Sequence, residues 1–224
     1  MISVKEKQIE VQDWGCLDYA TAYARQKCFI EERRIGDSHD RLILVEHPSV
    51  VTIGSSGDLS DLCISKTLLR NQGISLFETD RGGKATFHGP GQMIAYPIIK
   101  LYNMDLHWYV QTFLKAVADL LTEYGLNPIF KKGQPGIWVA GKKIASIGIA
   151  VKKMITSHGV GLNVNTDLNA FQWIVPCGHP GEIMTSMEKE LGVSVDLTVV
   201  KKRFVQSFRN HFGYSLQHPS KNNI

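Results

Sequence analysis

The chain has no Cys-x-x-Cys pair, no Gly-Lys-Ser/Thr phosphate loop and no apolar run near the ~20 residues of a membrane-spanning helix. Each absence removes a class of protein. The four cysteines, Cys16, Cys28, Cys63 and Cys177, follow no regular framework. That argues against a secreted disulfide scaffold and for a reducing compartment. The opening "MISVKEKQIEVQDWG" carries charges where a signal peptide needs an apolar run, so a cytoplasmic location is expected. Charge of one sign is also in short supply. A formal net charge of +4 is too small to indicate a nucleic-acid binder, though it suits an acidic protein partner. There is no internal repeat and no low-complexity linker.

What is present is ordinary globular material. At 224 residues, 43% hydrophobic and 21% charged, the chain can bury one substantial core. We expect a single domain over 1–213 and a polar C-terminal tail over 214–224. Leu17, Ala20, Ala24 and Cys28 recur at helical spacing and predict a helix over about 16–33. "RLILVEH" and "VVTIG" read as two strands, and "ISLFET" as a third. Ser65 caps a short helix ending near Gly73. Residues 80–92 read as a glycine-rich loop. "MIAYPII" follows as a strand, with Pro97 marking an edge or a bulge. The clearest helix runs from Asp105 to Tyr124, with a stripe of Leu106, Val110, Phe113, Val117, Leu120 and Tyr124, and stops at Gly125. "GIWVAGKKIASIGIAV" reads as a hairpin turning near Gly141, and "SHGVGLNV" as another strand. "TSMEKELG" reads as a capping box from Thr185 to Glu188. A last helix spans Asp196 to Gly213. Strands and helices do not alternate regularly, so the class is α+β.

Three segments carry unusual chemistry. "RGGKATFHGPGQ", residues 81–92, surrounds Arg81, Thr86, His88 and Gln92 with glycines. It is either a structural turn or a loop whose backbone approaches a ligand closely. In "GKKIASIGIAV", residues 141–151, strand alternation sends Lys142 and Lys143 to opposite faces. Both are solvated turn lysines, or one faces a site. "TSHGVGLNVNTDLNAFQWIVPCG", residues 156–178, holds His158, Asn163, Asp167 and Cys177. Cys177 is either a buried filler beside a turn or a thiol presented to substrate, with His158 nineteen residues before it. A zinc site from His158, Cys177 and His179 matches no common ligand spacing.

Read in order, these segments resemble the signature of the octanoyltransferases of lipoate biosynthesis, the lipoyl(octanoyl) transferase family. Its pattern is approximately R-G-G-x-x-T-x-H-G-P-G-Q, G-x-K-I-A-x-x-G, H-G-x-x-L-N-V and D-L-x-x-F-x-x-I-x-P-C-G. The chain has "RGGKATFHGPGQ", "GKKIASIG", "HGVGLNV" and "DLNAFQWIVPCG". "LVEHPSVVTIG" resembles a further family segment, and the similarity runs from about residue 10 to 212. The resemblance implies one α+β domain of the biotin/lipoate protein ligase kind, with a larger and a smaller mixed β-sheet flanked by helices. It implies Cys177 as a nucleophile carrying octanoyl, or lipoyl, as a thioester, and Lys143 as its catalytic partner. Substrate would be bound by Arg81, Gly82, Gly83, Lys84, Ala85, Thr86, Phe87 and His88, by Ser146, Ile147 and Gly148, and by His158, Gly159, Val160 and Gly161. The implied donor is octanoyl-acyl carrier protein. The implied acceptors are lipoyl domains of 2-oxoacid dehydrogenase complexes and the glycine cleavage H protein. No cofactor, metal, nucleic acid or membrane is implied.

The chemistry is consistent with those roles. A free thiol titrates near 8.5, so few thiolates exist at neutral pH without a nearby cation. Lysine also suits a step in which an incoming amine loses a proton. Oxyanion donors are expected among the glycines of 82–91 and 159–161 and at Gly178. The lysine pairs 131–132, 142–143 and 152–153, with the cluster Lys201, Lys202 and Arg203, are candidates for a basic rim that steers an acidic partner. Alternatives are an ATP-dependent lipoate- or biotin-type protein ligase, an amidotransferase acting between lipoyl domains, and a non-catalytic module that binds a carrier protein.

Overall fold

The structure is a computed structural model that describes residues 7–36, 38–102, 105–176 and 181–216. Its framework is a mixed sheet of eight strands: β1 (Gln8–Cys16), β2 (Asp40–Glu46), β6 (Gln92–Ile98), β7 (Ile129–Lys131), β8 (Gln134–Val139), β9 (Lys142–Lys152), β10 (Ile155–Asn163) and β11 (Ser215–Leu216). Their order is β11-β1-β2-β6-β10-β9-β8-β7. A second sheet holds β3 (Val50–Ile53) between β4 (Ser75–Glu78) and β5 (Ala85–His88). The α+β class and the larger and smaller mixed sheets are as expected.

Helix α1 (Tyr19–Ile35) starts where the Asp18 carboxylate accepts the Thr21 N–H at 2.9 Å. It begins later than the expected residue 16 because Cys16 is still paired in β1, a strand absent from the sequence reading. Helix α2 (Lys66–Asn71) is capped by Ser65 as expected. Helix α3 (Leu106–Glu123) occupies the expected span, but its buried face is turned. Tyr109, Ala116 and Leu121 are fully buried, whereas Leu106 is exposed and Val110 and Tyr124 only partly covered. Ala116 sits where the last helix crosses, and its carbonyl accepts from the Ser207 hydroxyl at 2.9 Å. Helix α4 (Met187–Leu191) is capped by Ser186, not Thr185. Thr185 is committed elsewhere: its N–H donates to the Lys143 carbonyl at 2.9 Å. Helix α5 (Leu197–Phe212) is capped by Asp196. The expected boundary at 213 falls inside folded structure, since Tyr214 is buried and Ser215 pairs with Gln8.

Helices α3 and α5 pack an apolar layer on one face of the large sheet, including Phe113, Phe204 and Phe208. Phe208 and Phe212 stack with centroids 4.4 Å apart. On the other face, α1 contributes Phe29 and Ile30 over Ile43, Ile94, Tyr96 and Ile98. The small sheet has its own core, in which Val51, Ala85 and Phe87 meet Phe171 and Ile174.

Pro97 lies in β6, an interior strand, paired with Leu42. It is tolerated because the β10 ladder on β6 ends at the Val160↔Ala95 pair. Beyond it, His158 adopts φ +57°, a left-handed conformation costly for a side-chain-bearing residue. Its N–H leaves the sheet and donates to Gln26 Oε1 of α1 at 2.9 Å. Gly159 follows, where a Cβ would run into the Ala95 carbonyl oxygen.

Candidate active site

The hairpin of β9 and β10 brings two of the expected segments face to face: Ser146 pairs with Gly161, Ile147 with Val160 and Gly148 with Gly159. The third segment arrives from the small sheet. Residues 85–88, expected as loop, form β5, and loop 81–84 is tied to β9 by the Gly82 N–H on the Ile149 carbonyl at 2.8 Å. Between them lies a cavity of about 110 Å³. It is lined by Arg81, Gly82, Gly83, Lys84, Thr86, His88, Lys143, Ser146, Ile147, Gly148, His158, Gly159, Val160 and Gly161, so nearly all the expected binding residues converge. Ala85 and Phe87 do not line it, because strand alternation turns them into the small sheet's core. Val160 also lines the cavity, yet its side chain packs into the layer under α3 and α5.

Sequence reasoning missed Tyr19, Ile94, Tyr96, Gln134 and Pro135, which complete the lining. No local pattern marks them. Tyr19 is brought in by α1 and stacks on His88, with ring planes 7° apart. The Tyr96 hydroxyl meets His47 Nε2 at 2.8 Å, and His47 Nδ1 meets the Leu17 carbonyl at 2.6 Å.

The polar groups are held by specific partners. Arg81 is buried and donates to the carbonyls of Thr52 (2.6 Å), Lys84 (2.7 Å) and Gly82 (3.1 Å). It therefore fixes the shape of loop 81–84. Lys84 reaches back to Asp61 at 3.5 Å. His88 Nδ1 lies 2.7 Å from Gln92 Oε1. The Gln92 amide nitrogen donates to the Phe87 carbonyl and to Asn163 Oδ1, and Asn163 donates to the Thr185 carbonyl. Those carbonyls can only accept, so each amide has one orientation. His88 Nδ1 must then carry the proton, leaving Nε2 as an acceptor. Burial, reinforced by nearby His47, pulls His88 down to about 3, so the ring is neutral.

His158 Nε2 sits 2.8 Å from Asp80 Oδ1, which also accepts from the Tyr23 hydroxyl at 2.7 Å. Burial lowers the His158 pKa, and the Asp80 carboxylate works against that shift. Its buried Nδ1 has no hydrogen-bond partner among the described residues. Asp80, Tyr23 and Gln26 were not expected from sequence. Only Asp80, next to Arg81, stood near a motif.

Alternation separates the two lysines as expected. Lys142 pairs with Glu190 at 2.9 Å and is partly exposed, whereas Lys143 is 1% exposed and lines the cavity. The Lys143 ammonium lies 4.9 Å from the Trp138 ring centroid. Its backbone pairs with 183–185: the Lys143 N–H donates to Ile183 and the Thr185 N–H to Lys143. Cys177, Gly178 and His179 lie outside the described residues. The chain on either side is anchored beside the cavity. Upstream, the Val175 N–H donates to the Asp61 carbonyl at 2.8 Å, and downstream Met184 bridges to Lys143.

Two expectations need correction. The N–H groups of Gly82 and Gly91 are engaged by Ile149 and Glu46, so neither is free as an oxyanion donor. The expected basic rim is also divided. Lys201 is buried against Asp13 at 3.0 Å, and Lys142 and Lys131 lie near Glu190 and Glu182, whereas Lys132, Lys152, Lys153 and Lys202 are exposed.

The fold is shared with lipoate protein ligases of known structure. Lipoate-protein ligase A bound with ATP superimposes with a TM-score of 0.74 at 16% identity, over 96% of this chain and 89% of that one. A bi-partite lipoate protein ligase from Thermoplasma acidophilum gives 0.72 at 17%, over 96% and 86%. At the level of sequence, the lipoyl protein ligase A/B catalytic domain family matches residues 18–209, and the chain belongs to it. Within that family its relatives include the octanoyltransferase of Solibacter usitatus, 41% identical over 204 residues, 90% of this chain and 92% of that protein. The octanoyltransferase of Rubrobacter xylanophilus is 42% identical over 201 residues, 89% and 91% respectively. Among the described residues no helix is long and apolar enough to cross a membrane.

Proposed function

We propose that the protein transfers an octanoyl group from acyl carrier protein, through a thioester on Cys177, to a lysine of lipoyl domains. The acceptors are those of 2-oxoacid dehydrogenase complexes and the glycine cleavage H protein. Octanoyltransferase relatives spanning nearly the whole chain support the transferase activity. The observation that carries the mechanism is Lys143. Its side chain is buried and lines the cavity, and its backbone is hydrogen-bonded to Ile183 and Thr185. That segment follows Cys177 by only six residues.

In the first step the Cys177 sulfur attacks the donor's thioester carbonyl. A new C–S bond forms, the carrier's C–S bond breaks, and the thiol proton ends on the departing carrier thiol. In the second step an acceptor amine attacks the acyl-enzyme, an amide C–N bond forms, the acyl C–S bond to Cys177 breaks, and the amine's proton returns to the Cys177 sulfur. Lys143 favours the thiolate before the first step and relays the proton in the second. Arg81 shapes the wall, and Gly148 and Gly159 let loop 81–84 and β6 close around the β9–β10 hairpin, where a side chain would collide. Lipoyl is accommodated as an octanoyl chain bearing sulfur.

The test is intact mass measurement after incubation with octanoyl-carrier protein, without ATP or acceptor. A single octanoyl adduct is expected, lost in Cys177→Ala and retained in alanine variants of Cys16, Cys28 and Cys63. Acylation of a lipoyl domain that requires free octanoate and ATP, with no Cys177 adduct, would establish a ligase instead.

A further inference from the structure

A second concavity, of about 620 Å³, lies between α3 and the β7–β8 hairpin at the edge of the large sheet. Gln134 and Pro135 line both it and the cavity described above, so one stretch of β8 borders the two. Its charge is of one sign: Lys115 of α3 and Lys131 and Lys132 of the hairpin line it, with no acidic side chain among its described lining residues. At its wall Phe130 is 52% exposed, an unusual position for a large aromatic side chain. Lys131 is partly engaged, 3.8 Å from Glu182 and over the Trp138 ring. Lys115 and Lys132 are exposed.

We propose that this groove docks the acidic carrier protein that delivers the acyl group, with the carrier's phosphate-bearing arm passing Lys115 and Lys132 toward Gln134 and Pro135. The proposal rests on the acyl-transfer reading above. It commits to the donor and not the acceptor for a geometric reason. A donor presents its thioester at the end of a long arm, which needs a channel leading inward. An acceptor presents an amine on its own short side chain and must sit directly over the cavity mouth. The arm carries an anionic phosphate that lysines match, and its carrier body is met by the exposed Phe130 within a basic rim, an arrangement that speeds encounter and fixes register.

The experiment compares two donors in single-turnover acylation of Cys177: octanoyl-carrier protein and octanoyl-pantetheine, which has neither phosphate nor protein. The ratio of their second-order rates is measured in the wild type, in Lys115→Glu/Lys132→Glu, and in Lys202→Glu, at an exposed position of α5, as a charge-reversal control. The ratio is expected to fall at least about tenfold in the double variant and to stay unchanged in Lys202→Glu. Should the double variant not fold, Lys132→Ala alone, at an exposed turn, is expected to lower the ratio about threefold. An unchanged ratio in the folded variants, or an equal fall in Lys202→Glu, overturns the proposal. So does a defect confined to transfer from the acyl-enzyme to a lipoyl domain, which would give the groove to the acceptor. If the wild type is acylated by neither donor, the acyl-transfer reading itself falls and the docking proposal falls with it.

Discussion

The two faces of the large sheet are built on opposite terms. Under α3 and α5 the layer is apolar, with Phe113, Phe204, Phe208 and Phe212 in mutual ring contact. Across the sheet, the cavity buries Arg81, His88, Lys143 and His158 and holds His158 at positive φ. Burying such groups costs free energy unless each is specifically partnered. The first face therefore supplies stability that the second consumes, and substitutions on the two should separate stability from chemistry.

The largest effects should come from the polar face and register in activity. Cys177→Ala should abolish turnover. Lys143→Met, which keeps the stem and removes the charge, should lower octanoyl transfer at least about hundredfold and slow Cys177 alkylation at neutral pH. Its melting temperature should move by only a few degrees. A Lys143→Met enzyme that keeps its rate would remove the buried ammonium from the mechanism.

Phe208→Ala is the mirror experiment. Loss of a fully buried ring should cost about 3–5 kcal/mol by denaturant titration. The folded fraction should retain wild-type kcat/KM. A kinetic defect in protein shown to be folded would mean that the two faces are not separable. Gly159→Ala sits on the seam between them. Its Cβ meets the Ala95 carbonyl, so the strand must shift by breaking its ladder, at a cost of roughly 1–3 kcal/mol. Both stability and transfer should fall together, and a neutral variant would show that β10 slides freely.

A smaller effect is confined to acid. Unfolded His88 takes up its proton near pH 6.5, whereas the native ring, held down to about 3 mainly by burial, stays neutral. Between those values the unfolded state binds more protons. The contribution is thus full above about pH 6.5 and is lost as pH falls toward 3, at up to about 1.4 kcal/mol per pH unit. The stability of the wild type relative to His88→Asn should shrink with that slope. A pH-independent difference would mean that His88 takes up its proton in the native cavity as it does in the unfolded chain. The smallest effect is expected from Lys142→Ala. Its pair with Glu190 is partly exposed, so less than about 1 kcal/mol should be lost, and transfer should be unchanged.

Several features of the site were legible because they are local. Strand alternation separated Lys142 from Lys143 without any tertiary information. The glycine-rich loop offered close backbone approach as one of two readings, and its Gly82 and Gly83 line the cavity. Ser65, Asp105 and Asp196 marked their helix starts because a cap is a contact within one turn. The cap at Thr185 was misread because its backbone is bonded to Lys143, some forty residues earlier. Ala85 and Phe87 fell inside a binding motif yet face a different core, since the motif runs as a strand and only one of its faces meets the cavity.

What the sequence determined by itself, then, is the inventory and its order. It set the residue types able to make and hold a thioester, the turns that expose them, and the period that assigns each to a face. Only the tertiary structure decided the rest. It brought Tyr19 from α1 onto His88, placed Asp80 against His158 and Gln26 beneath its backbone, and set the lysine-lined groove beside the cavity, with Gln134 and Pro135 lining both. Those contacts join residues far apart in the chain. They arise from packing α1, the small sheet and the β7–β8 hairpin against one framework, and no local spacing encodes where packed surfaces meet.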